Sequence, residues 1–450
     1  MTWRRVAATV IVVGVALTVY GMTMAPTLSW SHWGADGGDL VTAAVTGRLS
    51  HPPGFPLYLG FADLFVRLPW SNPAWRLNLL SAVMGAGAVA AVAAAILVLN
   101  DSAVAGSVGG IALVVAPLFW SQALITEVYT TAALFSALFL FWWVGIRRSA
   151  SRRSIVLGGI LWGLGLTVHP TLIFLAPLWL DLGWEGWPGL LAALGIAGIA
   201  YVFLQLRGPW PQPWGDLGNF DGWWEYVSAR LYWGYAFSVP LGDWPRRALS
   251  WVTTLVRQFT PLGALLCIWG VSYLWQERPR RTVGLLLTFA GISAYAIGYD
   301  TSDSLIYMVP FLSIPALWLG AGIEAAAARG VPRLLWLLIP VASLIWHVGA
   351  MDLSGDLAAQ QWWERTLVQT PAEAVLVTSQ DAHTFTLWYV QEVLHLRPDV
   401  VVVDEDLWGD EAYRDYITQE IQRPVTPLTL EGLAEGYPLC YVGASTVECR

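Results

Sequence analysis

Lysine is absent from this chain: all 24 basic residues are arginine, which reads as a GC-rich coding bias rather than a site. Charge of either sign is scarce. Arg, Asp and Glu together make up 12% of the 450 residues, about half the roughly 25% of an average soluble domain. So little polar surface cannot cover the core of a chain this long in water, which excludes an ordinary cytosolic enzyme. The net charge of −8 comes without any basic stripe, so phosphates cannot be neutralised and nucleic acid is excluded as a partner. Internal repeats and low-complexity linkers are lacking as well. Cysteine is used three times. Cys267 lies in an apolar run and reads as a small core residue, whereas Cys440 and Cys449 are either a disulfide or two free thiols.

What the chain has instead is long apolar runs. They predict about eleven membrane spans, near residues 6–25, 77–99, 104–120, 131–146, 154–168, 170–182, 187–206, 249–275, 283–299, 304–325 and 334–350. Residues 55–67 are apolar but short and Pro-flanked, and predict an interfacial or re-entrant helix. The first run follows Arg4 and Arg5 as a signal peptide would, but its length and the lack of a small-x-small cleavage site favour a retained helix. With the N-terminus inside, Arg147, Arg148, Arg152 and Arg153, then Arg278, Arg280 and Arg281, then Arg329 and Arg333 all fall on cytoplasmic loops. An odd span count then puts the C-terminal tail outside. Trp30, Trp120, Trp142, Trp143, Trp179, Trp210 and Trp251 sit at span ends and read as interfacial anchors. Gly159 and Gly163 predict close helix packing.

After residue 350 the texture changes. The β-branched runs 374–379 and 399–403 flank a helical pattern at 382–395, with a helix near 409–421 and a strand near 439–442: a small α/β fold with a parallel sheet. Residues 1–350 therefore form a transmembrane domain with long external loops at 26–76 and 207–248. Residues 351–450 form a soluble extracytoplasmic α/β domain.

Long polar loops on one face of a bundle more often hold function than connect helices. In the first, Asp36 and Asp39 precede a helix expected from 39 to about 48. N-capping explains each acid taken alone. Their company argues for more: His51-Pro52-Pro53-Gly54 follows one helix length later and can turn the chain back onto them. Glu127 lies between two spans at the external end, where a carboxylate needs a buried partner or a substrate. His169 interrupts an apolar stretch near the same side and is either a satisfied core histidine or a substrate contact. Arg207, and Arg230 with Tyr232, stand at the outer face, where arginines hold a phosphate or snorkel to headgroups. Asp300 and Asp303 read as N-caps, and Ser379-Gln380-Asp381 as a turn. The spacing of these residues matches no metal motif.

The segments DGGDL, SHPPGFPLY and NPAWRLNLLSA, within residues 36–80, resemble a bacterial domain-of-unknown-function family. That family is similar to protein O-mannosyltransferases of the GT-C glycosyltransferase superfamily. The resemblance continues in order through WSQALITEVYTTAALF, GLGLTVHPTL, YVFLQLRG and the tail segment from Thr378 to Leu407. It implies an α-helical polytopic membrane protein, a GT-C-like bundle with a small C-terminal α/β domain. It also implies a catalytic carboxylate in the first external loop and a polyprenyl-phosphate-linked sugar donor, mannose or similar, used on the outer face of the cytoplasmic membrane. The acceptor is a hydroxyl of a protein, glycan or lipid, and membrane lipids surround the spans. Where the family more often has Asp-small-Gly-Glu, this chain has Asp36-Gly37-Gly38-Asp39, one methylene shorter at the last acid. On this reading Asp39 is the base or acceptor-orienting residue and Asp36 the second choice. His51, Arg207 and Arg230 meet the phosphate, and Glu127, His169 and Tyr232 lie with the substrate. No cofactor is required, though a divalent metal is compatible with carboxylates beside a phosphate. The alternatives are a lipid-linked sugar transporter or flippase, and a non-catalytic scaffold. The near-absence of charge in the spans and of repeats counts against the transporter.

Overall fold

The computed structural model describes residues 3–146, 150–421 and 429–450; Arg147 and Arg148 of the orienting set lie outside them. Helices α1 (Trp3–Thr23), α2 (Gly37–Thr46), α3 (Pro56–Phe65), α4 (Pro73–Asn100), α5 (Ala103–Val114) and α6 (Pro117–Gln122) build the first part. Next come α7 (Tyr129–Gly145), α8 (Arg152–Val168), α9 (Trp187–Phe203), α10 (Phe220–Val227), α11 (Trp244–Glu277), α12 (Pro279–Gly298), α13 (Ser313–Ala327) and α14 (Leu338–Met351). The boundaries follow local chemistry. Asn72 and Ser102 cap α4 and α5 by accepting backbone N–H groups of Trp75 and Ala105. Pro117, which has no N–H to give, opens α6 after an extended Ala116.

Every expected apolar run is helical, but the count of eleven spans is not reached on length. Six helical stretches among the described residues are long and apolar enough to cross a membrane. They become seven when Ser304–Phe311 and Ser313–Ala327, bent by 49°, count as one broken span. The stretches at Ala103–Val114, Tyr129–Gly145 and Pro170–Asp181 are shorter, and proline at 117 and 170 divides what hydropathy reads as continuous runs. The chain is a multi-pass helical membrane protein. Helix α4 sits centrally, packed on α1, α5 and α7. The small-residue expectation holds: a Cβ on Gly159 would lie 2.0 Å from the Gly189 carbonyl oxygen, and one on Gly163 would lie 2.7 Å from that of Ala193. Helices α8 and α9 touch through their backbones. The tryptophan expectation needs correction. Trp120, Trp143 and Trp179 are buried in the core, and the Trp120 and Trp143 indoles donate to Thr23 Oγ1 and the Leu178 carbonyl. They fill the bundle rather than anchor it at an interface.

The tail adds α15 (Ala358–Gln369), α16 (Asp381–Trp388), α17 (Glu411–Ile421) and α18 (Leu430–Leu433) around a sheet of order β2-β1-β3-β4. Strands β1 (Val375–Thr378), β2 (Val401–Asp404) and β3 (Leu439–Val442) are parallel, and β4 (Val447–Cys449) returns antiparallel on β3. Cys440 faces Cys449 in that register, and the two are disulfide-bonded. Helix α16 lies directly on α2. Gly38 permits this: a Cβ there would come within 2.3 Å of the Phe385 carbonyl oxygen. The tail is therefore seated on α2 and the loop that carries it.

Candidate active site

Helix α2 ends at Gly47, whose φ of 80° suits glycine and whose N–H caps the Ala43 carbonyl. The chain then folds back along the helix, bringing His51 to its N-terminal acids. Asp39 Oδ2 accepts the His51 backbone N–H at 2.7 Å and lies 2.9 Å from its Nδ1. Asp39 Oδ1 accepts the indole N–H of Trp214, from the second external loop, at 3.0 Å. On the other edge of the ring, Nε2 is 3.4 Å from Asp36 Oδ2. Neither acid caps α2: Asp36 occupies the capping position without a side-chain capping bond, and Asp39 is turned to His51.

The two carboxylates are thereby separated. The Asp39 side chain is 0% exposed while that of Asp36 keeps 34%, so of the two it is Asp36 that is accessible. Burial raises the Asp36 carboxyl above its ordinary range; His51 opposes this, and Asp39 and Asp303 add to it. Burial alone would lower the His51 pKa, but Asp36 and the hydrogen bond and charge of Asp39 outweigh it and push it up to about 9. His51 is an imidazolium at neutral pH, held between two acids.

Asp36 and His51 open onto a cavity of about 550 Å³. From the bundle it is lined by Tyr129, His169, Tyr299, Asp303 and Tyr307, from α16 by Asp381 and Phe385, and from the second loop by Tyr232. The His51 and Phe385 rings stack at 6.4 Å. His169 Nδ1 accepts the Thr171 backbone N–H at 3.3 Å, which leaves the proton on Nε2. Among the residues lining this cavity there is no arginine. Aromatic faces with acids and a neutral N–H donor suit a sugar, and His51 lies beside Asp36, one of three acids in the lining.

Of the residues singled out in the sequence, the structure brings Asp36, His51, His169 and Tyr232 to this cavity and puts Asp39 directly behind it. Glu127 is also behind it, 1% exposed and with Oε1 unpartnered; burial, then the charge of Asp36, holds its carboxyl well above the usual range. The two arginines expected at the phosphate are elsewhere. Arg207 pairs with Asp63 at 2.5 Å and donates to the Ala43 and Arg48 carbonyls at the end of α2. Arg230 is an exposed partner of Glu225 at 2.6 Å. Arg48 was passed over; it pairs with Glu392 and lies 4.6 Å over the Trp388 ring, tying the tail to the first loop. Asp303 stands at an N-cap position without a capping bond and faces the cavity. The tyrosines were missed too, although Tyr295, Tyr299 and Tyr307 cluster at one external span end and could have marked it. Among the described residues no group of three His, Cys, Asp or Glu is arranged to hold a metal ion.

Comparison with known proteins places the chain beside a family of membrane transferases in sequence. Residues 36–182 match the family described as protein O-mannosyl-transferase TMEM260 N-terminal domain, and residues 359–430 match TMEM260-associated domain 2. The chain is 24% identical to mouse protein O-mannosyl-transferase TMEM260 over 434 residues, covering 86% of this chain and 61% of that protein. Against the Dictyostelium discoideum protein O-mannosyl-transferase tmem260 it is 24% identical, covering 89% and 57%. It thus spans about three fifths of the length of these relatives. Among solved structures, ArnT from Cupriavidus metallidurans bound to undecaprenyl phosphate superposes with a TM-score of 0.59 at 13% identity, over 90% of each chain. The Archaeoglobus fulgidus oligosaccharyltransferase, in complex with Zn and sulfate, gives 0.57 at 11% identity, over 96% of this chain and 67% of that one. Residues 36–182, beginning at Asp36 itself, and 359–430 are thus similar to the two TMEM260 domains, and the chain shares its overall fold with ArnT and the oligosaccharyltransferase.

Proposed function

We propose that this protein is a membrane glycosyltransferase that moves a hexose, mannose or similar, from a polyprenyl phosphate to a serine or threonine hydroxyl of a polypeptide on the outer face of the cytoplasmic membrane. The observation that carries this is the Asp39–His51–Asp36 arrangement at the mouth of a tyrosine-lined cavity. The TMEM260 matches support a protein acceptor, the ArnT neighbour with its undecaprenyl phosphate supports the donor class, and the tail disulfide supports an oxidising compartment.

The chemistry follows from the parts. A sugar on a lipid phosphate already has a good leaving group, so no strong acid is needed. Asp36 takes the acceptor hydroxyl proton as that oxygen attacks the anomeric carbon. The new C–O bond forms as the bond to the phosphate oxygen breaks, and the polyprenyl phosphate leaves with the electron pair. His51, kept cationic by Asp36 and Asp39, stands where negative charge grows on that phosphate, and the Nε2–H of His169 and the tyrosine hydroxyls offer further donors. Arg207 and Arg230 have no part in it. The scheme requires no cofactor. To test it, the purified chain is given polyprenyl-phosphate mannose and a Ser/Thr-rich peptide, and products are read by mass spectrometry. Mannosylated peptide with release of polyprenyl phosphate is expected; donor that stays intact across a panel of hexoses and pentoses rejects the reading.

A further inference from the structure

Resting on that glycosyltransferase reading, we propose that Asp381 binds the acceptor, so that the C-terminal domain supplies the acceptor wall of the active site. Asp381 and Phe385 are the residues beyond 350 that line the cavity, and they lie on the side of the tail. The donor brings a polyprenyl chain that stays in the bilayer, so its sugar enters from the bundle, past Tyr129, His169 and Tyr307. The acceptor must then approach from the opposite wall. Asp36 lines the same cavity and feels the charge of Asp303 from the bundle, while Asp381 of α16 feels that of Asp36.

The acids of this site differ in what remains for a ligand. Asp39 is fully used by His51 and Trp214. One oxygen of Asp36 is turned to His51. The Asp381 carboxylate makes no hydrogen bond or ion pair with the protein among the described residues. It sits in the first turn of α16, whose capping position is Gln380, with no side-chain capping bond. Its place is nonetheless fixed. The backbone contact of Gly38 with Phe385, the stacking of His51 on Phe385 and the Arg48–Glu392 pair lock α16 onto α2. Asp36 and Asp381 are therefore held in one fixed relation across the cavity. Such a free carboxylate accepts a charge-assisted hydrogen bond. In a Ser/Thr acceptor the donor nearest the reacting hydroxyl is the backbone N–H, and this is the group assigned to Asp381.

The test uses the full chain with undecaprenyl-phosphate mannose and a Ser/Thr-rich peptide, reading mannosyl-peptide and free mannose together. Water competes with the peptide, so the ratio of transfer to hydrolysis isolates acceptor binding. Asp381→Ala is expected to lower that ratio by at least about tenfold through the peptide KM, with the donor KM within about twofold of the parent. Asp381→Asn, which keeps one accepting oxygen, is expected to lose less. A ratio unchanged in Asp381→Ala, including an equal fall of both products, overturns the assignment while leaving the glycosyltransferase reading intact. Parental protein that consumes no donor overturns both. Thermal unfolding of each variant, expected to match the parent, separates acceptor loss from misfolding.

Discussion

Asp36 and Asp39 are three residues apart, yet their surroundings give them different work. Asp36 keeps a free edge in the cavity; Asp39 has none and serves through His51. The motif showed two acids and a histidine one helix length on. It did not show which acid would face the ligand, because that depends on Trp214, 175 residues away, closing over Asp39. Burial makes Asp36, rather than the Asp39 that the sequence reading preferred, the acid open to the cavity. Asp39→Asn should therefore destabilise the fold by about 1–3 kcal/mol, since an amide nitrogen must face one of two buried donors. Asp36→Asn should leave thermal unfolding close to the parent. Acidity gives a second prediction at this scale. The folded pKa of His51 is raised above its ordinary 6.5 to about 9. The stability it contributes is thus full below about pH 6.5 and is lost as pH rises through about 9. Unfolding midpoints followed from pH 6 to 10 should fall across that window in the parent, and the fall should shrink in His51→Gln.

At the scale of elements, hydrophobic pattern located the bundle helices and three of the four strands, but not α10, α15 or α18. The β-branched runs around Val377 and Val402 made the tail strands legible; the short β4, with Glu448 and Cys449 exposed, offered no such signal. The contact of α16 with α2 was not legible, because a glycine in a helix announces flexibility as readily as close approach. Its consequence is measurable. In an isolated helix Gly38→Ala would stabilise by about 1 kcal/mol. Here the added Cβ meets the Phe385 backbone at 2.3 Å, so the sign should reverse, with a lower unfolding midpoint and lost transfer. The Cys440–Cys449 disulfide joins β4 to β3 across a separation of nine residues. On the loop-entropy account, replacing both by Ala should cost about 2–3 kcal/mol. Urea titration of the full chain in detergent, following the tail by proteolysis, checks it.

For the whole molecule, composition alone announced a membrane protein with one small α/β domain, and both are present. By length six or seven helical stretches among the described residues qualify as spans, and several of the other expected runs form shorter apolar helices. On the arginine pattern the tail is expected outside, so an alkaline phosphatase fusion after residue 350 should be active; a silent one would reverse the orientation. The assembly of the site from two distant loops and the tail was beyond the sequence, because it rests on contacts such as Trp214 to Asp39 and Phe385 to His51. The central claim is that Asp36 is the base at which those parts converge. It is tested most directly by Asp36→Asn in the purified chain, measuring turnover of polyprenyl-phosphate mannose beside binding of undecaprenyl phosphate. Turnover should fall by about two to four orders of magnitude while binding stays near parental. Near-parental turnover in that variant would contradict the account.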